Sequence, residues 1–118
     1  MDLNKTKLGV IFYQSDNGVE PVREWLRDLP RIDKKTIGDD VKTVQYGWPL
    51  GMPLVDSLGH GLWEVRSKIS DGRIARVIFF MDDNAMILLH GFIKKTKTTP
   101  KPELNLAKRR KKQYEVNT

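Results

Sequence analysis

Arg66, Arg73 and Arg76 lie on or beside β-type runs, and Lys94, Lys95 and Lys97 follow the last of them. Cations gathered at one groove suit phosphodiester chemistry. RNA carries its own nucleophile, the 2′-hydroxyl. A protein speeds its attack by aligning the 2′-oxygen with phosphorus and placing positive charge where the phosphorane accumulates negative charge. Arginine matches two phosphate oxygens with a planar fork, and lysine serves as a point charge. Arg76 alternates with Ile74 and Ile78, and a charge on an apolar strand face needs a partner or a task. A salt bridge to Glu64 is the competing reading for Arg66 and Arg76. His90, inside Leu88-Leu89-His90-Gly91-Phe92, is either a general acid or base or a packed, hydrogen-bonded histidine. Tyr114 is either a proton-transfer group or a residue that docks a helix.

Other chemistries lack their residues. The chain has no cysteine, which removes disulfides, thiol nucleophiles and cysteine-ligated zinc. It has no Gly-rich phosphate loop and no G-x-S-x-G elbow. His60 and His90 are its two histidines. The acid pairs Asp39-Asp40 and Asp82-Asp83 fall in a predicted helix and a predicted turn, with no third acid on a shared strand face for a metal.

The elements that must position these groups follow from periodicity. Leu8–Tyr13 is a short β-type run. After Pro21, the residues Val22, Trp25, Leu26 and Leu29 recur at helical spacing until Pro30. A second helix is predicted over Ile32–Tyr46, with Ile32, Ile37, Val41 and Val44 as an apolar stripe interrupted by Gly38. Residues 47–53 read as a loop. Three β-type runs follow, Leu62–Ser67, Arg73–Met81 and Met86–Phe92, joined by Asp71-Gly72 and Asp82-Asp83-Asn84 and therefore antiparallel. The middle run is apolar on both faces, as in a central strand. Pro102-Glu103 opens a last helix with Leu104 and Ala107 on its inner side. Trp25, Trp48 and Trp63 read as packing residues. The order β-α-α-β-β-β-α predicts an α+β domain spanning residues 1–118, with one mainly antiparallel sheet and helices on one side.

Of the 118 residues, 39% are hydrophobic and 31% charged, and the net charge is +6. Residues 94–118 hold nine Lys/Arg against two Asp/Glu, whereas residues 1–93 hold twelve against thirteen. A positive charge so concentrated is either the footprint of a polyanion partner or a solvated basic tail. No apolar run reaches the ~20 residues that span a bilayer, and a cytoplasmic location without membrane contact is expected.

Gly61–Arg66, Arg73–Phe80 and, most specifically, Leu88–Pro100 resemble the HigB-like branch of the RelE toxin superfamily, also called a phage-derived toxin-like family. The resemblance implies a RelE-like fold and the toxin of a type II toxin–antitoxin system. Such a toxin is an endoribonuclease that cuts messenger RNA in the A site of the 70S ribosome. It implies a helix-turn-helix antitoxin, through which alone the system touches operator DNA, and no cofactor or metal. On that pattern Arg66 and Arg76 hold the scissile phosphate, Lys95, Lys97 or both hold the 2′-oxygen or neighbouring phosphates, and His90 or Tyr114 assists proton transfer. Arg73, Lys94, Lys97, Lys108, Arg109, Arg110 and Lys112 are the expected RNA contacts. A toxin-like module that binds RNA or the ribosome without cutting is the alternative.

Overall fold

The run that is apolar on both faces becomes the central strand of a five-stranded sheet. The computed structural model describes residues 8–94 and 98–117. Its strands are β1 (Gly9–Phe12), β2 (Val55–Gly59), β3 (Leu62–Lys68), β4 (Ile74–Asp82) and β5 (Ala85–Lys94), in the order β1-β5-β4-β3-β2. Every residue of β4 from Ala75 to Phe80 is buried. The pairs β2–β3, β3–β4 and β4–β5 are antiparallel, and β1 joins β5 in parallel. Asp71 and Gly72 both take positive φ, 62° and 70°, the conformation that a tight Asp-Gly reversal favours. Periodicity does not reveal β2, an edge strand in which Val55 alone is fully buried.

Three helices cover the sheet: α1 (Pro21–Arg27), α2 (Arg31–Gly47) and α3 (Lys101–Val116). Val22 of α1 and Ile37, Val41 and Val44 of α2 pack with Val65, Val77, Phe79, Met86 and Leu88. Ala107, Leu104 and Tyr114 of α3 pack with Leu62, Ile78, Phe80, Ile87 and Leu89. Val77 and Phe79 alternate with Ile78 and Phe80, so α3 lies on the opposite face from α1 and α2. The α+β class stands, but helices on one side only is corrected. A central strand apolar on both faces needs cover on both. Ile32 is a second correction: it is 69% exposed, and Asp33 is the residue turned inward. Asp33 accepts from the Ser70 amide and hydroxyl at 3.2 and 3.0 Å, and so ties α2 to the β3–β4 turn.

One irregularity decides what faces what. Ile78 pairs with His90, but Phe79 pairs with Leu88. Leu89 is thus an extra residue in β5, a bulge that reverses the alternation beyond it. Ile87, Leu89 and Phe92 accordingly all belong to the α3 side. Gly91, opposite Val77, turns to α1, where Trp25 lies over it. A Cβ at Gly91 would stand 2.3 Å from Trp25 Cε3, so only glycine admits the indole. No helix among the described residues is long and apolar enough to cross a membrane.

Candidate active site

On the α3 face the register sets three rows across β3, β4 and β5: Lys68, Ile74 and Lys94; Arg66, Arg76 and Phe92; and Glu64, Ile78 and His90. Two arginines directly opposite each other repel. Glu64, on the same strand face two residues before Arg66, answers both. Its Oε1 lies 3.7 Å from Arg76 Nη1 and its Oε2 3.9 Å from Arg66 Nε. Glu64 and Arg76 are fully buried, at 0% exposure. Thr99, just before α3, covers them: its hydroxyl donates to Glu64 Oε1 at 2.8 Å and accepts from Arg76 Nη1 at 3.4 Å. The Arg76 guanidinium also lies 5.9 Å from the Phe92 ring centre, within cation–π range. Burial pushes the Glu64 carboxyl above its usual range, against the pull of the Thr99 hydroxyl and the two guanidiniums. Burial likewise lowers the pKa of Arg76, whose guanidinium stays charged at any working pH.

Arg66 is the more open arginine. It lines a 280 Å³ recess with Lys68, Ile74, Met52 and Pro53. Two cations and apolar walls make this recess suited to a phosphate beside a nucleobase. Lys94, exposed, ends the row that borders it.

His90 is held from both sides. Arg110 Nη1 donates to the Leu89 carbonyl at 2.9 Å and approaches His90 Nδ1 at 3.4 Å. A guanidinium only donates, so Nδ1 is the acceptor, and Nε2 carries the hydrogen that reaches Glu103 Oε1 at 2.8 Å. Burial, together with the charge of Arg110, lowers the His90 pKa against the pull of Glu103. The imidazole is therefore neutral near pH 7, next to a carboxylate that steadies it, an arrangement able to pass a proton.

The expected residues thus divide. Arg66, Arg76, His90 and Lys94 share one face. Arg110 joins them from α3, as a support for His90. Arg73 is drawn to the other face, where Nη2 meets the buried Asp33 at 3.2 Å. Tyr114 packs on Phe80 and donates to Asp82 at 3.0 Å. That is six residues along β4 from Arg76, about 20 Å at strand rise, so Tyr114 docks α3 and does not join the cluster. Lys95 and Lys97 lie outside the described residues. Lys108 and Lys112 line a separate 240 Å³ cleft with Lys111, Glu115 and His60, and Arg109 is exposed. Trp48 is a packing residue, edge-on to Trp63 and Phe79 at 5.1 and 5.6 Å.

Sequence reasoning passed over Lys68, Phe92, Thr99 and Glu103 as members of the site, and saw Glu64 only as a salt-bridge partner. Lys68 was visible, since it follows Arg66 at strand spacing. Thr99 and Glu103 carry no sequence signal, because the path of the chain from β5 to α3 brings them over the sheet. Among the described residues no three His, Asp or Glu side chains gather to hold a metal ion.

A family model described as "Phage derived protein Gp49-like (DUF891)" matches residues 24–112, from α1 to the last turns of α3. No curated protein matches the chain at a significant level.

Proposed function

The chain belongs to the phage-derived Gp49-like family, which is associated with RelE- and toxin-like proteins, and from that premise we propose that it is the RNA-cutting toxin of a toxin–antitoxin pair. The reading is that of the HigB-like branch: messenger RNA is cleaved on the ribosome, the 2′-oxygen attacking phosphorus and the 5′-oxygen leaving. One observation carries it. Two arginines stand side by side in one strand row, with a neutral, carboxylate-steadied histidine in the row beyond. Arg66 meets the phosphate in the open recess and Arg76 completes the clamp once Thr99 moves aside. His90 relays the proton, and Lys94 with the neighbouring lysines holds flanking phosphates. The basic outer side of α3 adds a sequence-independent grip on ribosomal RNA. A helix-turn-helix antitoxin neutralises the toxin in this scheme, and the cytoplasm is where it acts.

The full burial of Arg76 against Glu64 favours a second reading, a toxin-like module that binds RNA or the ribosome without cutting. RNA-end mapping in a purified translation system separates the two. Cuts inside A-site codons that need ribosomes and disappear in Arg66→Ala support the nuclease. Intact messenger in the presence of folded, ribosome-bound protein supports the binding module.

A further inference from the structure

On the face away from the arginines, α1, α2 and β1 enclose a furrow that the RNA chemistry does not use. It consists of two adjoining hollows of 320 and 440 Å³, which share Phe12, Leu26 and Gly38. Val10, Val41 and Leu88 extend the apolar floor. The rim is cationic, formed by Arg23, Arg27, Lys34 and Lys42, and no acidic residue lines either hollow. Arg23 is already paired with Glu20. Arg27, Lys34 and Lys42 have no ion pair among the described residues.

Gly38 is the telling residue. It stands inside the 17-residue α2, where glycine is markedly less favourable than alanine. Nothing among the described residues asks for it. Its φ is not positive, and outside its own stretch of helix no atom of the described residues lies within 4 Å of the Cβ it lacks. Lys34, Gly38 and Lys42 follow one another at i, i+4 and i+8, a straight stripe along α2. A missing side chain at the centre of such a stripe lets a second helix approach closely.

We propose that this furrow receives an amphipathic helix of a partner protein, with apolar residues at helical spacing turned to the Phe12–Leu26 floor and carboxylates turned to Arg27, Lys34 and Lys42. From Lys34 to Gln45 the lining of α2 runs about 16 Å, so the seat takes roughly three helical turns. Nucleic acid is the wrong occupant for this face. The apolar floor has no phosphate partner, whereas helix-in-groove recognition uses such anchors. The inference stands whether or not the opposite face cuts RNA.

The test is a display selection from a library of randomised 16-residue helix-forming peptides against the full chain, followed by fluorescence anisotropy of the enriched peptides. The expected winners carry apolar residues at i, i+3, i+4 and i+7 with Asp or Glu on the flanks. Gly38→Gln, which fills the furrow without strain in α2, weakens them by roughly tenfold or more and leaves the thermal midpoint unchanged or higher. The double variant Lys34→Glu, Lys42→Glu weakens them most at low salt. Winners without acidic flanks, or winners indifferent to Gly38→Gln, overturn the proposal. So does displacement of the peptides by a 20-nucleotide RNA that itself loses affinity in Gly38→Gln, since the furrow is then an RNA site. No arm reads cleavage, so failure here leaves the nuclease reading untouched.

Discussion

Replacing Arg76 by methionine tests how the centre of the site is built. The change keeps an unbranched apolar stem and removes the guanidinium with its charge. Glu64 is then left at 0% exposure with the Thr99 hydroxyl at 2.8 Å and the Arg66 guanidinium at 3.9 Å. Removing one partner of a buried pair costs about 3–5 kcal/mol, because the remaining charge is uncompensated. That is a large part of the roughly 5–15 kcal/mol that a domain has. Arg76→Met therefore destabilises the fold as well as emptying the clamp, and loss of cleavage by this variant alone says little about catalysis. Adding Glu64→Gln removes the orphaned charge. The double variant should recover most of the loss, with a coupling of about 2–3 kcal/mol in a double-mutant cycle measured by urea unfolding at pH 7. The pH dependence has a definite sign. Burial raises the folded pKa of Glu64, so the folded chain takes up this proton more readily than the unfolded one, and the penalty of Arg76→Met should shrink as pH falls toward the carboxylate range. Additive single-variant effects, or a cost of Arg76→Met below about 1 kcal/mol, would refute the reasoning that Glu64 and Arg76 are one electrostatic unit.

Gly91→Ala drives a methyl group into the Trp25 ring, and denaturant unfolding should show a loss of at least about 1–3 kcal/mol, with a changed tryptophan emission spectrum. Gly38→Ala meets open space and should stabilise α2 by up to about 1 kcal/mol, read as a thermal midpoint higher by a few degrees. His90 is held neutral with a lowered pKa, so the unfolded chain takes up its proton first. Stability should decline as pH falls through the ordinary histidine range near 6.5 and below, and His90→Asn should lack that part of the slope. If His90 relays the proton, cleavage persists down to pH 6.5 and declines only below it, whereas a profile centred on the ordinary histidine pKa would exclude that role.

Glu64, Arg66 and Arg76 show what local reading reaches. Strand alternation places Glu64 with Arg66, and Arg76 with Ile78, from spacing alone, and β4 reads as central because both its faces are apolar. The Asp71-Gly72 reversal and the amphipathic stripes of α1 and α2 are local as well, since a turn or a helical period is set by neighbours a few residues away. This is why the α+β class, the order of most elements and the basic character of the C-terminal segment were legible.

The rest depends on contacts between distant segments. The bulge at Leu89 turns His90 and Phe92 to the face of Arg76, and Gly91 to Trp25. An unbroken alternation would have placed each on the other side, and Gly91, a residue that often marks a bulge, does not say where the extra residue falls. Placing α3 across the second face brings Glu103 and Arg110 to His90, and the chain leading into it lays Thr99 over Glu64. Arg73 and Tyr114 match the pattern of the arginine site in sequence, yet pairing with Asp33 and with Asp82 holds them elsewhere. The amino-acid sequence by itself determined which residues have the charge and the period to build such a sheet face. Only the tertiary structure decided which of them meet there, because strand register and helix placement are settled by packing across the whole core and not by any one segment.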